Sequence, residues 1–380
     1  MKYLIDYIET FGGLGFNEKV FNEIDALIFS QLIYNDFGDI VKESESVFVS
    51  DAAMKFYSIH SEEEINELIS VCQKSAILLR ECAKTKRFGE AKLCHYINNV
   101  NGEIDKQFSA INILLPDGNL VVAYRGTDIT VIGVKESTML SYMFPVPAQI
   151  EALYYFQETA MLTDGKIRIC GHSKGGNLAV FAGVNCSNSL KKRIDGIYEF
   201  DAPGFPKWFF ERYDFLQIKD RIHLLTPQSS IIGRLLYHDL KAKIVHSEAI
   251  RGLRQHSVAT WEIKDGELVT EDEYDSYSNT YSRYINETLE YVGEEDLELF
   301  FNTLEYLVTE MGINNFYDLK NFEFKRAFAL INSLSTLNKE QKDKFNKILR
   351  KVSTDLAKEY LTSFRNKHFQ KKKEENSADN

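Results

Sequence analysis

Gly171-His172-Ser173-Lys174-Gly175 fits G-x-S-x-G, the spacing of a nucleophile elbow. A serine placed there sits on a cramped turn between a strand and a helix, so its Oγ projects from the carboxyl edge of a sheet. The flanking glycines answer a steric demand, because side chains at those positions would strike the neighbouring strand or helix. The same turn aims the Lys174 backbone N–H, and the positive end of the following helix, at the place where an oxyanion forms. The chemistry implied is acyl transfer. It also needs a histidine base, an acid to orient that base, and a second oxyanion donor.

The surrounding pattern supplies elements able to hold such groups. Lys166–Cys170 reads as a strand, and the apolar run after Gly176 reads as a helix. Upstream, Lys92–Ile97 and Gln107–Leu114 alternate as strands, and Pro116-Asp117-Gly118 turns into the strand Asn119–Tyr124. That strand ends in Arg125-Gly126-Thr127-Asp128. Residues 129–146 form an apolar connection with Met139, Met143 and Phe144, and Pro147 opens a crossover helix. Downstream, Ile194–Phe200 reads as a strand ending in Asp201, and Arg221–Thr226 as the next, with His223 placed in the core. A hairpin turns at Asp265-Gly266. This is the βαβ rhythm of a mostly parallel sheet. Residues 1–90 are expected to form a helical layer packed on a core at 91–271. In that layer Asn17 opens an amphipathic helix and Ser61 begins a capping box. Residues 272–370 read as helical, with Asn338 as a cap, and 371–380 as a disordered tail.

The composition narrows the function classes. The chain has 380 residues with 44% hydrophobic and 13% aromatic content, enough for a large core. A net charge of −11, from 45 basic and 56 acidic residues, argues against a general nucleic-acid binder. Five cysteines at scattered positions suit reduced thiols. The acidic N-terminal stretch and the lack of a long apolar window point to a cytoplasmic protein. Metal-ligand and phosphate-cradling spacings are absent, so no metal or organic cofactor is implied.

With Tyr124-Arg125-Gly126-Thr127 and Gly171–Gly176 in view, the chain resembles class 3 (fungal-type) lipases of the α/β-hydrolase superfamily and their bacterial lipase-like relatives. The resemblance covers roughly residues 90–265. It implies an α/β-hydrolase fold, a second oxyanion N–H at Thr127 beside that of Lys174, and a lid over residues 129–146. A buried crossover is the competing reading of that segment. It also implies a base at His256, shortly before Trp261. His238 and His246 lie on connections, and His172 is taken to brace the elbow. The family carries an apolar residue where this chain has Lys174, which suggests a cation beside the oxyanion site.

The family's acid follows the strand equivalent to Arg221–Thr226, but Pro227-Gln228-Ser229-Ser230 offers no carboxylate. Asp201, at the end of the preceding strand, is the candidate acid, with Gln228 or Ser229 as a neutral substitute. The expected function is a serine hydrolase acting on a lipid or small-molecule ester. Transient contact with a membrane surface is a role open to the tail lysines. The rival is a binding or regulatory module that kept the fold without the activity.

Overall fold

The computed structural model describes residues 1–42, 45–128, 130–310, 338–339, 342–348 and 350. Two compact units result, residues 1–279 and 280–380.

The first unit is built on an eight-stranded sheet in sequential order. Its strands are β1 Ser46–Phe48, β2 Lys92–Asn101, β3 Lys106–Leu114, β4 Leu120–Tyr124, β5 Ile167–His172, β6 Ile194–Phe200, β7 Ile222–Pro227 and β8 Lys243–Val245. Strands β1 to β4 pair antiparallel, and β4 to β8 pair parallel. This is the α/β-hydrolase fold, a mixed sheet with helices on both faces. A separate small hairpin joins β9 Ile263–Lys264 to β10 Glu267–Leu268.

Alternation along β4 explains the two covered faces. Leu120, Val122 and Tyr124 join one buried cluster with Ala152 and Phe156 of the crossover helix Pro147–Thr159 and Leu178 of the elbow helix Lys174–Asn185. Val121 and Ala123 join the other, which holds the N-terminal helices, including Leu27 and Ile28 from Glu23–Leu32 and Leu78 and Leu79 from Ser70–Ala83. A central strand buried on both faces must read as a continuous apolar run, as Leu-Val-Val-Ala-Tyr does.

The helix Glu23–Leu32 starts later than the apolar stripe suggests, at Glu23 rather than after Asn17. Asn22 caps it, accepting from Ile24 N at 2.9 Å, while Asp25 returns a bond from Asn22 N at 2.9 Å. The fully buried Arg87 collects the carbonyls of Leu14 and Val20 at 3.2 Å and of Lys19 at 2.8 Å, and pairs with Asp25. Continuing the helix backwards would take those carbonyls away from Arg87. The Ser61 capping box forms as read, with Glu64 its partner. The short edge strands β1 and β8 carry too few residues to show a period.

In the second unit the helix Glu294–Glu310 follows the end of Ser276–Val292, and Phe300 stacks on Phe345 at 5.0 Å. The helical reading of residues 311–337 and 351–370 and the disordered reading of the tail 371–380 lie outside the described residues.

Candidate active site

Register brings the chemistry-bearing residues to one edge. Tyr124 pairs with Gly171, His172 with Phe200, and Phe200 with Leu225. Arg125–Thr127, Ser173, Asp201 and Thr226 therefore leave adjacent strands at the same carboxyl end, where parallel sheets place functional groups.

Ser173 has φ 58° and ψ −134°, a strained backbone for a residue with a Cβ. That strain costs about 1–3 kcal/mol and persists because the surroundings force it. A Cβ on Gly171 would meet the backbone of Gly175 at 2.2 Å, and one on Gly175 would meet the Tyr124 carbonyl oxygen at 2.2 Å. The end of β4 lies against the serine, since a Cβ on Gly126 would stand 3.1 Å from Ser173 Cβ. Among the described residues, the Ser173 hydroxyl makes no hydrogen bond, and the backbone N–H groups of Thr127 and Lys174 take no acceptor.

Asp201 also has a left-handed backbone, φ 48°, and is 1% exposed. Its Oδ2 meets His256 Nδ1 at 2.6 Å. Its Oδ1 accepts from Gly233 N at 3.0 Å and from the Ser230 hydroxyl. The residues after β7 thus contribute two donors to the carboxylate rather than a carboxylate. Gln228 is engaged elsewhere, donating to Ser247 O at 3.0 Å and accepting from Ser247 N at 2.8 Å. Ser229 N donates to the Gln255 side chain at 2.8 Å. Neither is brought to the His256 ring.

His256 is set by its neighbour across the sheet edge. His172 Nε2 lies 2.8 Å from the His256 carbonyl oxygen, and the two rings are 4.3 Å apart. The Tyr34 hydroxyl lies 3.3 Å from His172 Nδ1. Burial, then the proximity of His256, pushes the His172 pKa down to about 3, so its ring is neutral. A neutral ring facing a carbonyl at Nε2 carries its proton there and accepts from Tyr34 at Nδ1. His172 therefore holds the loop carrying His256 as well as following the strand into the elbow. Tyr34, Ser230, Glu136 and Gln107 gave no signal in the sequence, each being an ordinary residue far along the chain from its partner.

The expected cation beside the oxyanion site is not there, because the Lys174 side chain turns inward. Its Nζ donates to Glu136 Oε2 at 2.6 Å and to the Gln107 carbonyl and side-chain oxygens at 2.6 and 2.8 Å. Glu136 is fully buried and also accepts from Gln107 N at 3.0 Å and Ala148 N at 2.8 Å. Burial lowers the Lys174 pKa, and the Glu136 carboxylate opposes that. Glu136 belongs to the helix Val131–Met139, so the apolar segment after Thr127 is tied from below to the residue after Ser173. Met139, Leu140 and Val146 are buried together, while Met143 is exposed.

Among the described residues neither His246 nor His238 bonds to Asp201. His246 pairs with Glu271 at 2.6 Å, and His238 is half-buried, with desolvation lowering its pKa to about 4. His223 is exposed and stacks on Tyr198 at 4.6 Å, so the core position read from the sequence is corrected. Its side chain falls on the outward face of β7. The five cysteines are unpaired. Among the described residues no helix is long and apolar enough to cross a membrane.

Comparison with known proteins adds the family. No curated protein matches the chain. Among solved structures, M37 lipase is similar at 15% identity and a TM-score of 0.35, over 70% of this chain and 79% of that one. The Rhizomucor miehei lipase propeptide complex is similar at 11% identity and a TM-score of 0.30, over 42% of this chain and 58% of that one. A family model described as Mbeg1-like matches residues 82–305, more than half of the chain. By that match, the chain belongs to the Mbeg1-like family.

Proposed function

We propose that the protein is a serine hydrolase that cleaves carboxylic esters of lipid or small acyl substrates through an acyl-enzyme. Ser173 Oγ attacks the ester carbonyl and passes its proton to His256 Nε2, while Asp201 stabilises the resulting imidazolium. The tetrahedral oxyanion lies within reach of the Thr127 and Lys174 N–H groups, which are free to donate to it. Collapse expels the alcohol with the proton from His256, and water releases the acid by the reverse route.

The observation that carries this reading is the 2.6 Å contact between His256 Nδ1 and Asp201 Oδ2, at the sheet edge that bears the strained Ser173. The binding-module alternative drew on the missing carboxylate after Thr226, and Asp201 fills that place from the neighbouring strand. The five free cysteines support a reducing, cytoplasmic setting. A fluorophosphonate probe tests the proposal, since it reacts only with an activated serine. The wild-type protein should label and Ser173→Ala should not. A wild-type protein left unlabelled under conditions that label a control lipase would return the fold to the role of a binding module.

A further inference from the structure

A cavity of about 210 Å³ is lined by His172 and His256 together with residues of the N-terminal helices. Its apolar wall includes Leu4, Val71 and Val258, and its polar wall includes Gln31, Ser75 and Lys74. Lys74 is the lysine of the cavity, and the Met1 amino group, which donates to the Ala259 carbonyl and whose pKa burial lowers to about 6, stands in the same lining. The Lys74 Nζ donates to the Ser257 hydroxyl at 3.1 Å, so the ammonium stands beside the residue following His256. Among the described residues no carboxylate lines the cavity and none pairs with Lys74. Burial pushes the Lys74 pKa down with no neighbouring anion to oppose it. In a protein of net charge −11, a half-buried cation without a counter-ion next to the candidate base is a local exception. Desolvation of a cation is eased by an anion, and beyond the Ser257 hydroxyl the space beside this ammonium is the cavity.

In the proposed mechanism His256 hands its proton to the departing alcohol, so the alcohol side of the substrate lies against His256. The cavity holds roughly seven water volumes. That is below the ~300 Å³ of a site for a whole drug-sized ligand and suits a small charged group with a short polyol stem. We infer that this cavity binds an anionic group, phosphate or carboxylate, on the alcohol side of the ester, with Lys74 as its cation. The inference rests on the hydrolase reading above and names its substrate class: acyl esters of anionic alcohols. The competing role for Lys74 is structural, bracing Ser257 and the loop of His256.

Two acetate esters separate these roles, one of p-nitrophenol and one of a nitrophenol bearing a carboxylate. The wild type should prefer the anionic ester in kcat/KM. Lys74→Met should reduce the ratio of the two values by about ten- to hundredfold, the range for a lost hydrogen bond to a charged group. Lys74→Arg should keep most of the preference. A structural role would move both esters together and leave the ratio where it was. That result would overturn the inference while leaving the hydrolase reading intact. Binding to the Ser173→Ala protein, followed by equilibrium dialysis, gives an answer independent of turnover. Glycerol phosphate should bind, glycerol should not, and Lys74→Met should abolish the binding. Failure of glycerol phosphate to bind would sink the inference even if neither ester were hydrolysed. Inorganic phosphate binding as tightly as glycerol phosphate would make the cavity a site for free anions and remove it from the substrate.

Discussion

Replacing Asp201 with Asn isolates the acid while keeping its shape. The carboxylate now accepts three bonds: His256 Nδ1–H at 2.6 Å, Gly233 N–H at 3.0 Å and the Ser230 hydroxyl. In Asp201→Asn the amide oxygen keeps the Gly233 and Ser230 donors, since a turned amide would set two donors against it. The amide NH2 then faces His256 Nδ1 and requires that nitrogen to accept. The proton of the neutral ring moves to Nε2, the atom that must accept from Ser173. The wrong tautomer and the lost stabilisation of the imidazolium together cost a triad about 10⁴ in turnover. That equals about 5.5 kcal/mol on the barrier, at 1.36 kcal/mol per factor of ten. The rate of fluorophosphonate labelling reads the acylation step directly, with thermal unfolding run beside it to show that the variant is folded. Gln228→Ala is the control, because its side chain bonds to Ser247 and does not reach His256. A loss under tenfold for Asp201→Asn, or an equal loss for Gln228→Ala, would refute the assignment of the acid.

Lys174→Met leaves Glu136 charged and buried without its cation, and should destabilise the fold by about 3–5 kcal/mol in denaturant unfolding. Pairing it with Glu136→Gln should recover part of that loss; no recovery would show that the ion pair is not the cause. Glu199 is buried, and burial raises its pKa to about 8, above the unfolded value near 4.5. The folded state therefore holds a proton that the unfolded state releases, so stability declines as pH rises from about 5 to 8. Glu199→Gln should flatten that decline in thermal melts taken across the interval. Because Glu136 pins the helix Val131–Met139 onto Lys174, hydrolysis of a short-chain ester should stay continuous through its micellar threshold. A sharp rise there, weakened by replacing Met139 and Met143 with Ser, would show that the segment opens as a lid.

The chain order alone carried the elbow, because its demands are local. Gly171, Ser173 and Gly175 lie within five residues, and the contact that excludes a Cβ on Gly171 is with Gly175 itself. The alternation read over β2 and β3, the continuous apolar run of β4 and the capping box at Ser61 are local in the same sense. The residues that complete the site belong to contacts between distant parts of the chain. Asp201 meets His256 across 55 positions, and the Tyr34 hydroxyl meets His172 across 138. Sequence could name Asp201 only as one of several candidates, because the choice depends on which strand ends beside His256 and in what register. The direction of Lys174 was also beyond it. A lysine after the nucleophile reads as a solvated cation until Glu136 and Gln107, 38 and 67 positions away, are folded against its Nζ. Short-range sterics write themselves into spacing, whereas the partner of a buried charge is decided only when the sheet has assembled.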